Sequence, residues 1–200
     1  MTTTDYFSVF GLPRKLQIDG EELRRRFYAL SRQHHPDFHQ MSGDEAQADA
    51  LATSALVNRG YRALRDPIAR VEYLIALEEG REVKDGARNA ARAPASLLAE
   101  MLEVQEMLEE AKTSGLDAET RAGLERERHR LETRRATTER EIIDRGAEWD
   151  AAPEGGHARA ELLAWFKQAL ATRQYLRTVI DDLSEALGED QASHASHRRH

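Results

Sequence analysis

The sequence predicts an all-α protein: an N-terminal helical hairpin with short flanking helices, followed by a C-terminal antiparallel three-helix bundle. Three observations carry that prediction. The composition is 40% hydrophobic and 32% charged with only 6% aromatic residues, and its richness in Ala, Leu, Glu and Arg favours long solvated helices over sheets. Apolar residues recur at steps of three and four, the helical period. Neither period-two alternation nor an Asn-Gly or Asp-Gly turn between two alternating runs is found.

The length of 200 residues suits one large domain or two small ones. From Gly80 to Pro94 the chain carries almost no large apolar residue and reads as a linker. The expected organisation is therefore a first domain over residues 1–79, a linker over 80–93, a second domain over 94–187 and a disordered polar tail over 188–200.

The elements follow in order. Tyr6, Phe7, Val9 and Phe10 form a short apolar segment that ends at Gly11-Leu12-Pro13. A helix starts near Asp19, an N-cap with Glu22 three residues on in a capping-box arrangement. Leu23, Phe27 and Leu30 form its buried stripe, and Arg24, Arg25, Arg26 and Arg32 occupy its other faces. It stops before Pro36, because a residue preceding proline is pushed out of the α region. After a loop to about Asp44, a longer helix over 45–65 turns Leu51, Ala55, Asn58, Tyr61 and Leu64 forward. Asp66-Pro67 is an N-cap followed by an N1 proline, so a further helix begins there and runs to Gly80.

The second domain reads as three long helices over about 95–113, 117–149 and 158–187. In the first, Leu97, Met101, Val104, Leu108 and Ala111 make a coiled-coil-like seam. The second is dense in Arg and Glu, with Leu124, Leu131, Ile142 and Trp149 as sparse anchors. The third keeps the seam stepping through Leu162, Phe166, Ala169, Arg173, Leu176, Ile180, Leu183 and Leu187. Short connections make neighbouring helices antiparallel.

Composition also excludes functions. The net charge of −7 at pH 7 argues against nucleic acid as a partner. No stretch approaches the roughly 18 apolar residues of a membrane span, and the N-terminus lacks the basic start and apolar run of a signal peptide. The expectation is a cytoplasmic protein with no membrane partner. The absence of cysteine rules out disulfides, thiolate metal sites and cysteine nucleophiles.

One motif is sharp. His35-Pro36-Asp37 lies where the arginine-rich helix ends and the loop begins. Proline fixes φ and stiffens the loop, Asp37 supplies an acceptor and a charge, and His35 supplies a ring that can donate or accept a hydrogen bond. Together they make a rigid polar contact point. The bland alternatives are a surface histidine beside a helix-stopping proline, and a solvated basic face. His34, His35 and His39 as metal ligands find no support in a pattern such as His-Glu-x-x-His.

In this context the motif resembles a J domain, and more finely the HscB family of iron–sulfur co-chaperones. The resemblance rests on residues 5–13 (Asp5 to Pro13), 31–38 (Ser31 to Phe38), 55–67 (Ala55 to Pro67) and 70–74 (Arg70 to Leu74), and it extends over nearly the whole chain up to Leu187. It implies that the His-Pro-Asp loop touches an HscA/DnaK-type chaperone and accelerates its ATP hydrolysis. Asp37 would engage an arginine of the partner. Arg24, Arg25, Arg26 and Arg32 would meet an acidic face of it, giving salt-sensitive steering.

The first helix of the bundle carries more apolar surface than a seam needs. Leu98 and Leu102 lie roughly 100–140° from Leu97, and Glu106 and Glu110 continue their row beside Glu103. The resemblance implies that Leu98, Leu102, Glu103, Glu106 and Glu110, with Tyr175 on the third helix, bind an IscU-type scaffold on which iron–sulfur clusters are assembled. Ala99 stands where other members often carry a larger apolar residue. The alternative is that Leu98 and Leu102 simply widen the core stripe. The zinc-binding cysteine motif of some members is absent, so no metal or cofactor of its own is expected, and the histidines of the tail read as a frayed end.

The expected activity is therefore that of a co-chaperone and ATPase activator, not an enzyme. A general J-domain co-chaperone for unfolded clients is the alternative. Against it stand the missing Gly/Phe-rich linker and the missing cysteine-rich zinc module.

Overall fold

A computed structural model describes residues 5–34, 44–80 and 95–188; the side chains of 44–46, 95, 96, 98, 101 and 114 lie outside that description. All regular structure among the described residues is helical, and the all-α class holds. In chain order the helices are α1 (Tyr6–Val9), α2 (Gly20–Gln33), α3 (Asp44–Arg65), α4 (Pro67–Glu78), α5 (Ala95–Ser114), α6 (Ala118–Asp144), α7 (Gly146–Ala151) and α8 (His157–Ala186). The chain forms two compact units, one of Met1–Ala87 with Ile143–Leu163 and one of Arg88–Ile142 with Ala164–His200.

Local chemistry sets the helix starts of the first unit. The Asp5 carboxylate accepts from the Phe7 N–H at 3.0 Å, and Asp19 from the Glu21 N–H at 2.9 Å. The capping-box expectation at Glu22 needs correction: its carboxylate is taken up by Arg25 and Arg26. Asp66 caps α4 by accepting from the Ala69 N–H at 2.8 Å, with Pro67 in the first turn.

α3 packs against α1, α2 and α4. Its buried row is Ala50, Val57, Gly60 and Leu64, whereas Leu51 is 62% exposed and Ala55 and Asn58 are exposed. The expected forward face is thus rotated. The reason is that α3 serves three neighbours, so its core face is set by where α1 and α4 meet it rather than by its largest apolar residues. Gly60 makes that approach possible: a Cβ there would lie 2.9 Å from the Phe10 ring and 3.3 Å from the Tyr6 ring. The Tyr6 ring stacks on Tyr73, whose hydroxyl accepts from the Tyr6 N–H at 2.7 Å. Burial pushes the Tyr73 phenol above its ordinary range.

Polar groups close the rest of the first unit. The buried Arg70 guanidinium donates to the carbonyls of Leu64, at 2.7 Å, and Leu16. Burial pulls its pKa below the ordinary arginine value. Asp150 accepts from the N–H groups of Leu16 and Gln17 at 2.7 and 2.8 Å. Arg159 lies 4.3 Å over the Trp149 ring and reaches Glu78 at 2.7 Å.

These contacts explain a second difference from expectation. The helix predicted to run to Trp149 ends at Asp144, and after a turn at Arg145 the short α7 begins. Buried Gly146 sits against Leu16 and Gln17, where a Cβ would find neighbours at 3.1–3.3 Å. Trp149 is therefore buried in the first unit rather than anchoring the bundle. Residues 143–163, inside the span expected for the second domain, cluster with the first.

The second unit joins α5, α6 and α8 around Leu97, Val104, Leu108, Leu124, Leu131, Leu176, Val179, Ile180, Leu183 and Leu187. Cross-helix bonds give its directions. Arg121 near the start of α6 reaches the Leu187 carbonyl at the end of α8 at 3.3 Å. Arg173 near the middle of α8 pairs with Glu139 late in α6 at 2.7 Å. Glu100 near the start of α5 accepts from Arg134 in the second half of α6. α6 thus runs antiparallel to both α5 and α8, the first across a short connection and the second across the segment that carries α7.

Candidate partner-docking surfaces

The first candidate surface is the α2–α3 hairpin. α2 carries the expected basic residues, and His34 caps its C-terminal end with its N–H on the Leu30 carbonyl at 3.0 Å. His35, Pro36 and Asp37 lie outside the described residues. The four arginines of α2 do not share one environment. Arg24 pairs with Glu21, and Arg25 with Glu22, one turn back on the same helix. These two pairs lie at the surface, where solvent screens them and they yield to a competing carboxylate. Arg25 itself holds the Glu22 carboxyl below its ordinary value, with Arg26 adding to the effect. Arg26 turns toward its own unit: it bonds Glu22 and donates to the carbonyls of Phe10, at 2.6 Å, and Gly11. It clasps the end of α1 onto α2. Arg32 is exposed and makes no ion pair among the described residues.

Sequence patterning did not single out the other side of the hairpin. Phe27 of α2 and Tyr61 of α3 stack with ring centroids 4.1 Å apart. Beside them runs an open groove of about 710 Å³ lined by Phe27, Asn58, Arg59, Tyr61, Arg62 and Arg65, among others. Arg65 stands over the Tyr61 ring at 5.8 Å, and Arg62 donates to the Asn58 carbonyl of its own helix, at 3.4 Å. None of Arg59, Arg62 and Arg65 makes an ion pair among the described residues. A sequence signal for this exists: no acidic residue lies between Asp49 and Asp66, so the one acid at i, i+3 or i, i+4 spacing from these arginines is Asp66, four residues after Arg62, and it caps α4.

The second candidate surface is on α5. Leu102 is 63% exposed, and Glu103, Glu106 and Glu110 are exposed along the same helix. The Leu98 side chain lies outside the description. Tyr175 on α8 is half-buried against the core that Leu97, Glu100, Val104, Leu131, Leu176 and Val179 line. Its hydroxyl is buried and has no hydrogen-bond partner among the described residues. Burial raises its pKa. The α6-facing side of α5 is fixed differently: Arg134 bonds Glu100 at 2.7 and 2.6 Å, holding its carboxyl below the ordinary value, with Arg130 adding at 3.3 Å.

Among the described residues no helix is long and apolar enough to cross a membrane, and no group of three or more His, Asp or Glu is placed to hold a metal ion.

No protein-family model matches the chain. The solved structures that resemble it along most of its length include two HscB proteins. Chaperone HscB from Vibrio cholerae is 25% identical with a TM-score of 0.54, over 90% of this chain and 99% of that one. Human co-chaperone protein HscB is 22% identical with a TM-score of 0.62, over 92% of this chain and 82% of that one.

Proposed function

From an HscB-type fold as its starting point, we propose that this protein is a J-domain co-chaperone of iron–sulfur assembly. It binds an IscU-type scaffold, delivers it to an HscA/DnaK-type chaperone and stimulates that chaperone's ATP hydrolysis. The observation that carries the proposal is the likeness to an HscB chaperone along 90% of this chain and 99% of the other. A helical hairpin in this chain joins its two helices through the segment containing His35-Pro36-Asp37.

The division of labour follows from the residues. His35, Pro36 and Asp37 act on the chaperone, with Arg24, Arg25, Arg26 and Arg32 steering an acidic face toward α2. Because Arg26 also clasps the Phe10 and Gly11 carbonyls, its larger effect is on the position of α1. Leu98 and Leu102 with Glu103, Glu106, Glu110 and Tyr175 receive the scaffold. An exposed leucine bordered by acids suits a partner with an apolar centre and a basic rim. The protein forms no bond itself; the hydrolysis belongs to the chaperone. The proposed location is the cytoplasm.

Two measurements test this. His35→Gln should abolish stimulation of the chaperone's ATPase while leaving scaffold binding intact; equal stimulation by both proteins removes the J-domain assignment. Leu98→Ala with Leu102→Ala should weaken scaffold binding roughly tenfold or more, as loss of a hot-spot pair does. Unchanged affinity removes the scaffold patch and leaves the general co-chaperone for unfolded clients.

A further inference from the structure

Among the described residues, positive charge without an ion-pair partner on the hairpin is concentrated on α3 rather than on the helix expected to carry the chaperone contact. On α2, Glu21 and Glu22 engage Arg24, Arg25 and Arg26. On α3, Arg59, Arg62 and Arg65 are exposed, make no ion pair among the described residues, and line one groove, while Asp66, the acid that follows them, is occupied as the α4 cap. Successive arginines are three residues apart, so they span roughly 9 Å along the helix axis, a spacing that meets carboxylates along a single acidic segment. The groove wall is aromatic: Phe27 stacks on Tyr61, and Arg65 stands over the Tyr61 ring.

We infer that this groove is a second contact for the chaperone and receives an acidic segment of it, with carboxylates on Arg59, Arg62 and Arg65 and an apolar side chain against the Phe27–Tyr61 pair. The inference rests on the proposed function. Three features select this occupant. Phe27 belongs to both the α2 face and the groove wall, and its neighbour Tyr28 is 65% exposed, so a partner seated on α2 reaches α3 without a gap. Forked guanidiniums without competing acids favour carboxylates. The Tyr61 ring is already engaged by Phe27 and Arg65, which suits protein side chains better than a stacking nucleobase.

The test titrates the full chain against an HscA/DnaK-type chaperone and reads ATPase stimulation. In Arg59→Glu/Arg62→Glu the concentration for half-maximal stimulation should rise on the order of tenfold, with the maximum retained because the His-Pro-Asp loop is untouched. Arg59→Lys/Arg62→Lys, which keeps the charge, should recover most of that shift. Helical circular dichroism and scaffold affinity equal to wild type establish that the variants are folded, as expected for exposed sites. A shift below about twofold in the glutamate variant overturns the inference alone, as does a fall in maximal stimulation at unchanged half-maximal concentration. A wild-type protein that gives no stimulation overturns the proposed function and the inference together.

Discussion

The two units of this protein are held together by different chemistry. The bundle of α5, α6 and α8 is a periodic apolar seam, with ion pairs such as Arg134–Glu100 and Arg173–Glu139 at its margin. The first unit also has an apolar core, but its irregular segments are fastened by charged groups that satisfy backbone atoms: Arg70 on two carbonyls, Asp150 on two N–H groups, Arg26 on two more carbonyls. A regular bundle satisfies its backbone within each helix. A unit assembled from a one-turn helix, a turn-rich loop and a returning segment must satisfy its backbone with side chains.

That contrast breaks most clearly where burial is complete. Leu124, fully buried in the bundle, should cost ~3–4 kcal/mol when cut to Ala, through lost transfer energy and a residual cavity. Arg70→Met should cost nearly as much, ~3 kcal/mol, although it removes no apolar contact, because the Leu64 and Leu16 carbonyls lose charged donors. Hydrogen exchange separates the two: amides of the bundle respond to the first substitution and those around α1, α4 and residues 12–18 to the second. An Arg70→Met protein as stable as wild type ends the claim that charge fastens the first unit.

A smaller effect is expected at Gly60. Its replacement by Ala places a methyl 2.9 Å from the Phe10 ring, which should destabilise by ~1–3 kcal/mol and perturb near-ultraviolet signals of Tyr6 and Phe10 first. The smallest lies at the bundle margin. Arg134 holds the Glu100 carboxyl below its ordinary value near 4.5. The unfolded chain therefore takes up a proton before the folded one does. The stability from this pair is present above the ordinary value and lost as pH falls through the lower folded value. Glu100→Gln should flatten the acid limb of the stability curve while changing neutral stability by ~1 kcal/mol or less; an unaltered acid limb excludes the pair as its source.

The bundle was legible in the sequence because α5, α6 and the part of α8 after Leu163 face one core, so a stepping pattern through Leu97, Val104 and Leu108 names the buried face directly. The caps at Asp19 and Asp66-Pro67 were legible for a related reason, since a cap is a property of a few adjacent residues. α3 was not. It meets three partners, and its exposed Leu51 looked more like a core residue than buried Ala50 or Gly60. The end of α6 at Asp144 was hidden as well: what stops it is Gly146 against Leu16 and the grip of Asp150 on Leu16 and Gln17, contacts more than 120 residues apart in sequence. At the candidate sites, residue types were legible and their pairing was not. Four arginines on α2 look equally available until Glu21 and Glu22 are placed beside them, and the three on α3 escape notice until the one acid near them, Asp66, is found capping α4.

Asp150 and Arg159 also give the chain a timetable. Their partners, Leu16, Gln17 and Glu78, leave the ribosome early, whereas they themselves follow the entire length of α5 and α6. At about 5–20 residues per second, the roughly 80 residues between Gly80 and the last of the returning segment take on the order of 4–16 s to make. For that interval the hairpin exists without its final fastenings, its Leu16 and Gln17 N–H groups open to water. The unit that begins first in translation is completed only after α5 and α6 have been made.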